Sequence, residues 1–321
     1  MSEPPTLLDM PDLALSVILE HCVHRSIQCL RKTCHDLRNR IDEIKPEPNI
    51  TGMNITILPG IIWLDYNSNE CSRRGKMCYN QYKPDKEGGY SIQTDRNANW
   101  KYVEGVDYIS AFCRDLFHVV VHLRRTLRFF YMKFCRESMQ PIKTANHQER
   151  FEKNVNNFLE QLNGILSNRK TPIRTNMFHI EIIGRNQLMK VLPYIQLVGS
   201  KSITITDPED ILKKFEMEEL MKSEQWNQAT RLSITGHFES LPPLQNFAHF
   251  QEFEIGIGRI TAEVYNKLKD TFLHSTSWKK FSIHYKLKDY FFIRCPPMSR
   301  GKISCHFTDM MNDSRLNAII E

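Results

Sequence analysis

Gly256-Ile257-Gly258-Arg259-Ile260-Thr261 is the stretch whose residue types come nearest to nucleotide chemistry. Two glycines between a strand and a helix let the backbone approach a pyrophosphate. The third glycine of that pattern is Thr261 here, and a helix N-cap accounts for a threonine equally well. A tight turn between two elements is the simpler reading. Metal chemistry attaches to Cys22, His24, Cys29, Cys34 and His35. Structural zinc sites pair close ligands across a longer loop, and these spacings do not match. Cys22 and Cys34 fall on apolar helical stripes, where a thiol behaves as a small hydrophobe. His147, His237 and His249 stand near loops without a partner of catalytic type. No G-x-S-x-G, Walker A, H-E-x-x-H or paired-carboxylate pattern occurs in the chain. The residues point to no catalytic site, no metal and no cofactor, and to a protein that is not an enzyme.

Nucleic-acid chemistry has two weak footholds. Arg124, Arg125 and Arg128 lie beside Phe129, Phe130 and Tyr131, but an aromatic-rich strand next to a helix end reads as core with arginines at its rim. Arg73-Arg74-Gly75-Lys76 reads as a solvated loop. The 321-residue chain has 43 Lys+Arg against 37 Asp+Glu, a net charge of +6. That is mild for its length, and nucleic-acid domains usually cluster their excess on one face.

Composition sets the class. Hydrophobic residues make up 41% and charged residues 25%, which excludes wholesale disorder. No run approaches the roughly 20 apolar residues of a membrane helix; the best, 116–123, is short and contains His118 and His122. Met1-Ser2-Glu3-Pro4-Pro5 lacks the basic start of a secretory signal, so an intracellular protein, cytoplasmic and/or nuclear, is expected. The nine cysteines are then most simply reduced thiols.

The elements that position these residues begin with a small helical module over 1–46. Asp9-Met10-Pro11-Asp12 opens a helix, with Asp9 or Met10 as cap and Pro11 in the first turn. Leu15, Ile18, Leu19 and Cys22 follow at helical spacing. Ser26 can cap a second helix carrying Ile27, Leu30, Cys34, Leu37 and Ile41, which Pro46 and Pro48 stop. Helices this short bury their stripes poorly alone. Their apolar surface should meet a partner or the rest of the chain, and the pattern alone leaves both open.

Met10-Pro11-x-x-x-Leu15-x-x-Ile18-Leu19, followed by Ser26-Ile27-x-x-Leu30-Arg31-Lys32-x-Cys34-x-x-Leu37-Arg38, resembles an F-box, and 30–46 resembles the nematode F-box A family in particular. Met10 replaces the commoner Leu, Leu13 stands where Glu is frequent, Ala14 replaces a bulkier aliphatic and Cys22 replaces Leu. The resemblance implies docking to a Skp-type adaptor, and through it to a cullin-based ubiquitin ligase. Met10, Pro11, Leu15, Ile18, Leu19, Leu30, Cys34 and Leu37 are the adaptor contacts it implies.

Residues 47–150 read as a mixed connecting region. Ile55–Ile57 and Ile61–Leu64 flank Pro59-Gly60 and predict a hairpin. Segments 79–82 and 90–93 across Gly88-Gly89 suggest a second hairpin or a mobile insertion. Helical spacing covers 106–123, and 127–134 reads as a strand.

Residues 151–290 alternate strand and helix. Five period-two segments, centred on Ile180, Ile203–Thr204, Ser233, Glu254 and Ser282, recur every 20 to 30 residues or so. Helical patterns at 187–192, 211–229 and 262–273 lie between them, the last capped by Thr261. Short crossovers imply a parallel sheet, and the polar alternation implies helices on one face only. The fold class expected is α+β/α/β: a helical module followed by an open, curved, leucine-rich-repeat-like βα solenoid, then a tail over 291–321. If the Ile, Leu and Phe residues of each strand face the helices, then His179, Glu181, Ser202, Thr204, Ser233, Glu254, Ser282 and His284 share the opposite face. That face is the candidate target-binding surface.

Segments 158–162 and 169–172, Leu192-Pro193, Glu224-Gln225-Trp226, Phe247-x-x-Phe250 and Thr271-Phe272-Leu273 make this half similar to the FTH domain that follows the F-box in F-box A proteins. That resemblance implies recruitment of a protein target. The whole chain therefore reads as a substrate receptor of a cullin ligase, with no membrane partner. An adaptor-independent interaction solenoid with a degenerate F-box and a basic RNA-binding solenoid are the rival readings.

Overall fold

The structure is a computed structural model and describes residues 6–67, 78–85, 88–94, 98–135, 145–184, 187–206, 217–238, 243–257, 263, 266–268, 270–271, 277, 279–285, 306–310 and 313–319. Contacts divide the chain into two compact units, Met1–Thr175 and Asn176–Glu321.

The first unit opens with three helices: α1 (Asp12–His21), α2 (His24–Leu30) and α3 (His35–Ile44). Where the apolar spacing predicts one helix from Ser26 onward, the chain breaks at Thr33. Its N–H and hydroxyl both donate to the Leu30 carbonyl, at 3.1 and 2.7 Å, closing α2 in a tight turn. Pro11 is the residue just before α1, and its carbonyl accepts from Leu15 at 3.0 Å. Leu15, Leu19, Ile27, Leu37 and Ile41 meet in one buried cluster, with Leu7, Cys22, Leu30 and Ile44 packed around it.

Both predicted hairpins are present. β1 (Gly52–Leu58) and β2 (Ile61–Asn67) pair antiparallel, with Leu58 opposite Ile61 and Gly60 supplying the positive φ of 76° that the turn requires. β3 (Cys78–Pro84) and β4 (Tyr90–Gln93) form the second, and β5 (Lys101–Val103) pairs with β4. The helical spacing over 106–123 becomes α4 (Tyr108–Val120), capped by the Asp107 carboxylate, which accepts from the N–H groups of Ile109 and Ser110 at 3.0 Å each. β6 (Phe129–Phe134) returns to lie parallel to β1. Gly52 faces the Phe129 ring there; a Cβ would sit 2.4 Å from its carbons, so a larger residue would require that ring to move. The strand order is β6-β1-β2-β3-β4-β5. α4 and α5 (Ala145–Ser167) pack through Phe112 and Phe158, whose rings lie 5.8 Å apart, and Tyr82 and Phe134 meet those rings from the sheet.

All five period-two segments are strands: β7 (Ile173–Glu181), β8 (Ile195–Thr206), β9 (Arg231–Phe238), β10 (Glu252–Ile257) and β11 (Lys280–Tyr285). β8, β9, β10 and β11 are successively parallel. On the described residues the predicted helices are a turn and a 3-10 segment, Leu192–Tyr194, at 187–194 and, within 211–229, two helices broken at Ser223. Between β8 and β9 lie α6 (Met217–Lys222) and α7 (Glu224–Gln228), and between β9 and β10 the described residues hold the 3-10 turn Leu244–Phe247. Helical residues occur at 266–268 and 270–271, while Thr261 falls outside the described residues. Beyond β11, β12 (His306–Met310) and β13 (Asp313–Ile319) form a hairpin, and β13 pairs antiparallel with β11. Each unit is thus mixed α/β with an open sheet, and the strand order closes no barrel. Among the described residues no helix is long and apolar enough to cross a membrane.

Candidate functional site

α1 is built from a sequence that is apolar on more than one side. Leu15 and Leu19, one turn apart, are fully withdrawn into the helical cluster. On the opposite side Leu13 is 79% exposed and Val17 49%, again one turn apart. Pro11 and Ala14 are exposed between these faces, and Ile18 is half-buried. Leu8, before the helix, is 39% exposed. Together they form a strip of apolar side chains along one helix.

Arg40 of α3 holds that strip in place. Its guanidinium donates to the carbonyls of Leu8 at 2.7 Å and Met10 at 2.6 Å, and it pairs with Asp12 at 2.5 Å. Two carbonyls and one carboxylate at the start of α1 are thereby tied to a second helix. Upstream, Thr6 and Asp9 cap one another: the Thr6 N–H and hydroxyl both donate to the Asp9 carboxylate at 2.7 Å, holding that carboxyl below its usual range. Arg31 closes the other end of the module, with Nε 2.8 Å from one Asp42 oxygen and a terminal nitrogen donating to the other at 3.0 Å.

The eight residues that the F-box resemblance assigns to the adaptor divide accordingly. Pro11, Ile18 and Met10 keep exposed or half-exposed surface on or just before α1. Leu15, Leu19 and Leu37 are core, and Leu30 packs against that core, so their apolar area is used inside the module. Cys34 is exposed just before α3, at the break, and not on a buried stripe. Sequence spacing missed Leu13, Val17 and the staple Arg40. The signal for Leu13 was present, an apolar residue at a position where Glu is frequent in F-boxes; Val17 follows it one turn later.

The second unit places its candidate face in register. Thr204, Ser233, Glu254 and Ser282 are direct neighbours across β8, β9, β10 and β11. The Ser233 hydroxyl donates to Glu254 at 3.4 Å, and His179 meets the Thr206 hydroxyl at 2.9 Å. The apolar alternates, Ile203, Leu232, Phe253 and their neighbours Ile205, Ile234 and Ile255, are buried on the other face. Trp226, Phe247 and Phe250 are buried with them, and Trp226 lies 4.9 Å from Phe250 and Phe247 5.5 Å from Phe253. The polar face is less open than period-two geometry alone predicts. His179, Ser202, Thr204, Ser233 and Glu254 are half-buried, and Glu181 and Ser282 are buried, because adjacent side chains on a sheet cover one another. The His284 side chain lies outside the described residues.

Two of the remaining chemical candidates have partners within the fold. His249 bridges to the Trp226 carbonyl at 2.9 Å. Arg125 pairs with Glu47 at 3.3 Å and donates to Asn49 at 2.9 Å. The side chains of His147 and His237, and residues Arg73–Lys76 and Gly258–Thr261, lie outside the described residues. Among the described residues no group of three His, Cys, Asp or Glu is placed to hold a metal.

A family model, the FTH domain, matches residues 156–294. It is a domain found in F-box proteins. No curated protein and no solved structure matches the chain.

Proposed function

We propose that this chain is a substrate receptor of a cullin-type ubiquitin ligase. Its helical module docks a Skp-type adaptor, and its second half recruits a protein target. The observation that carries the reading is the exposed apolar strip of α1, with Leu13 79% exposed on a helix whose other face is already fully buried. A solvated strip of that kind, held rigid by Arg40, is what a helix-in-groove partner covers. The FTH match over 156–294 supports the recruiting role, since the matched residues include the row of polar side chains on β8 to β11. Catalysis belongs to another subunit in this scheme; the receptor raises the effective concentration of target lysines near it. The curved solenoid expected from the strand periodicity belongs to this proposal, as the shape that would present that row to a target.

The experiment is co-purification of the full chain with a panel of Skp-type adaptors and a cullin. Capture of an adaptor and, through it, the cullin supports the receptor role. Capture of protein partners with no adaptor in the complex supports the adaptor-independent rival, and salt-dependent RNA retention the other.

A further inference from the structure

A cleft of about 390 Å³ lies between α2, α3 and the C-terminal turn of α4, inside the first unit. Ligand sites begin at about 300 Å³. Its lining is divided: Ile27, Ile41, Phe117 and Val121 are apolar, while His24, Lys45, His118 and His122 carry nitrogen. The one carboxylate, Asp42, is committed to Arg31 at 2.8 Å. Lys45 has no ion pair among the described residues.

His24 is the feature that the protein itself leaves incomplete. It is 9% exposed, its ring meets the edge of Tyr66 at 5.5 Å, and neither ring nitrogen has a hydrogen-bond partner among the described residues. Those nitrogens are not sealed from solvent, so they are open to a ligand in the cleft. The charges felt by the two inner histidines are cationic except for Asp42: Arg31 and His118 act on His24, and His118, Lys45 and Arg124 act on His122. Basic residues at the C-terminal ends of α3 and α4 complement the helix dipoles. That accounts for their presence there, but it gives His24 no partner.

We propose that this cleft binds a small organic anion, a carboxylate or phosphate monoester on an apolar body. The headgroup lies at His24, Lys45 and His122, and the body on Ile27, Ile41 and Phe117. The proposal is independent of adaptor docking, since it uses no residue of the α1 strip.

The test is an NMR titration of the full chain with labelled histidines, using phenyl phosphate, benzoate, inorganic phosphate and benzyl alcohol as probes. Phenyl phosphate or benzoate should shift His24 and His122 saturably, and the bound anion should raise the pH at which both protonate. Lys45→Glu, at an exposed site, should weaken that binding by about tenfold or more. Its unfolding midpoint serves as the control for folding. Raising the salt on the unmodified chain should weaken binding in the same way. Absence of saturable shifts with both anions, benzyl alcohol binding as tightly as phenyl phosphate, or salt-independent affinity would overturn the proposal.

Discussion

Arg40 shows how much of the docking surface depends on one side chain. Its guanidinium ties the Leu8 and Met10 carbonyls and the Asp12 carboxylate to α3. The ion pair alone is worth little, because Asp12 is 75% exposed, but the two carbonyl bonds have no other donor on the same arm. Arg40→Ala should therefore cost about 1–3 kcal/mol and loosen residues 6–12 before the helices melt. Hydrogen exchange checks this: loss of protection confined to that segment is the expected result, and unchanged protection would show that Arg40 is not the staple. His24 makes the module pH-sensitive. Burial first, then Arg31 and His118, hold its protonation down at about 4 against an ordinary 6.5. A group neutral when folded and protonated when unfolded adds stability that is fully present above 6.5. That stability is lost as the pH falls from 6.5 toward about 4, a change of about 3 kcal/mol. Burial, with His118, Lys45 and Arg124, pushes His122 down as well. Denaturant titrations at pH 7.5 and 5 should show the loss in the natural chain and a smaller one in His24→Leu. Equal pH slopes in both would contradict it. Residues of this kind were not legible in the sequence: no spacing rule links Arg40 to Leu8, or leaves His24 without a hydrogen bond.

At the level of elements, the strands read well and the helices less so. Period two located β7 to β11 because each strand buries one face, and the buried set, from Phe178 to Ile255, matches the apolar alternates. The helical spacing at 187–192 gives a turn and a 3-10 segment, and Ser223 interrupts the helical stretch after β8 by capping α7. Trp226 and Phe250 pack against one another beside the strands, and Phe247 reaches the sheet at Phe253. In α1 the period identifies apolar positions without saying which of two apolar stripes is core. Leu15 and Leu19 win because α3 offers Leu37 and Ile41 to pack against. The continuous stripe through Cys34 failed because the Thr33 hydroxyl competes for the Leu30 carbonyl and ends α2. The two stripes differ in what they should tolerate. Leu15→Ala removes packed core and should cost about 2–5 kcal/mol, whereas Leu13→Ala should change stability by about 0.5 kcal/mol or less. Thermal or urea unfolding of both variants measures this directly; similar losses would mean that Leu13 is also core.

Across the whole molecule, the FTH match begins at residue 156, inside α5, and runs through β7 to β11. The helical module precedes it, and the two proposed roles fall on separate sets of residues. Glu254→Lys, on the half-buried row beside Ser233, should alter target capture and leave adaptor binding unchanged. Glu181 is a poor probe of the same face, because at 8% exposed a reversed charge there would be buried. The central claim is that the outward strip of α1 is the adaptor-binding surface. Since Glu is frequent at the position of Leu13 in F-boxes, the discriminating substitutions are at Ala14 and Val17, which are exposed and outside the core. The decisive measurement is the Kd of the full chain for a Skp-type adaptor, with and without Ala14→Glu and Val17→Glu together. The account predicts that binding weakens by about thirtyfold or more, some 2 kcal/mol, with the unfolding midpoint unchanged. An unchanged Kd in a folded double variant would contradict it.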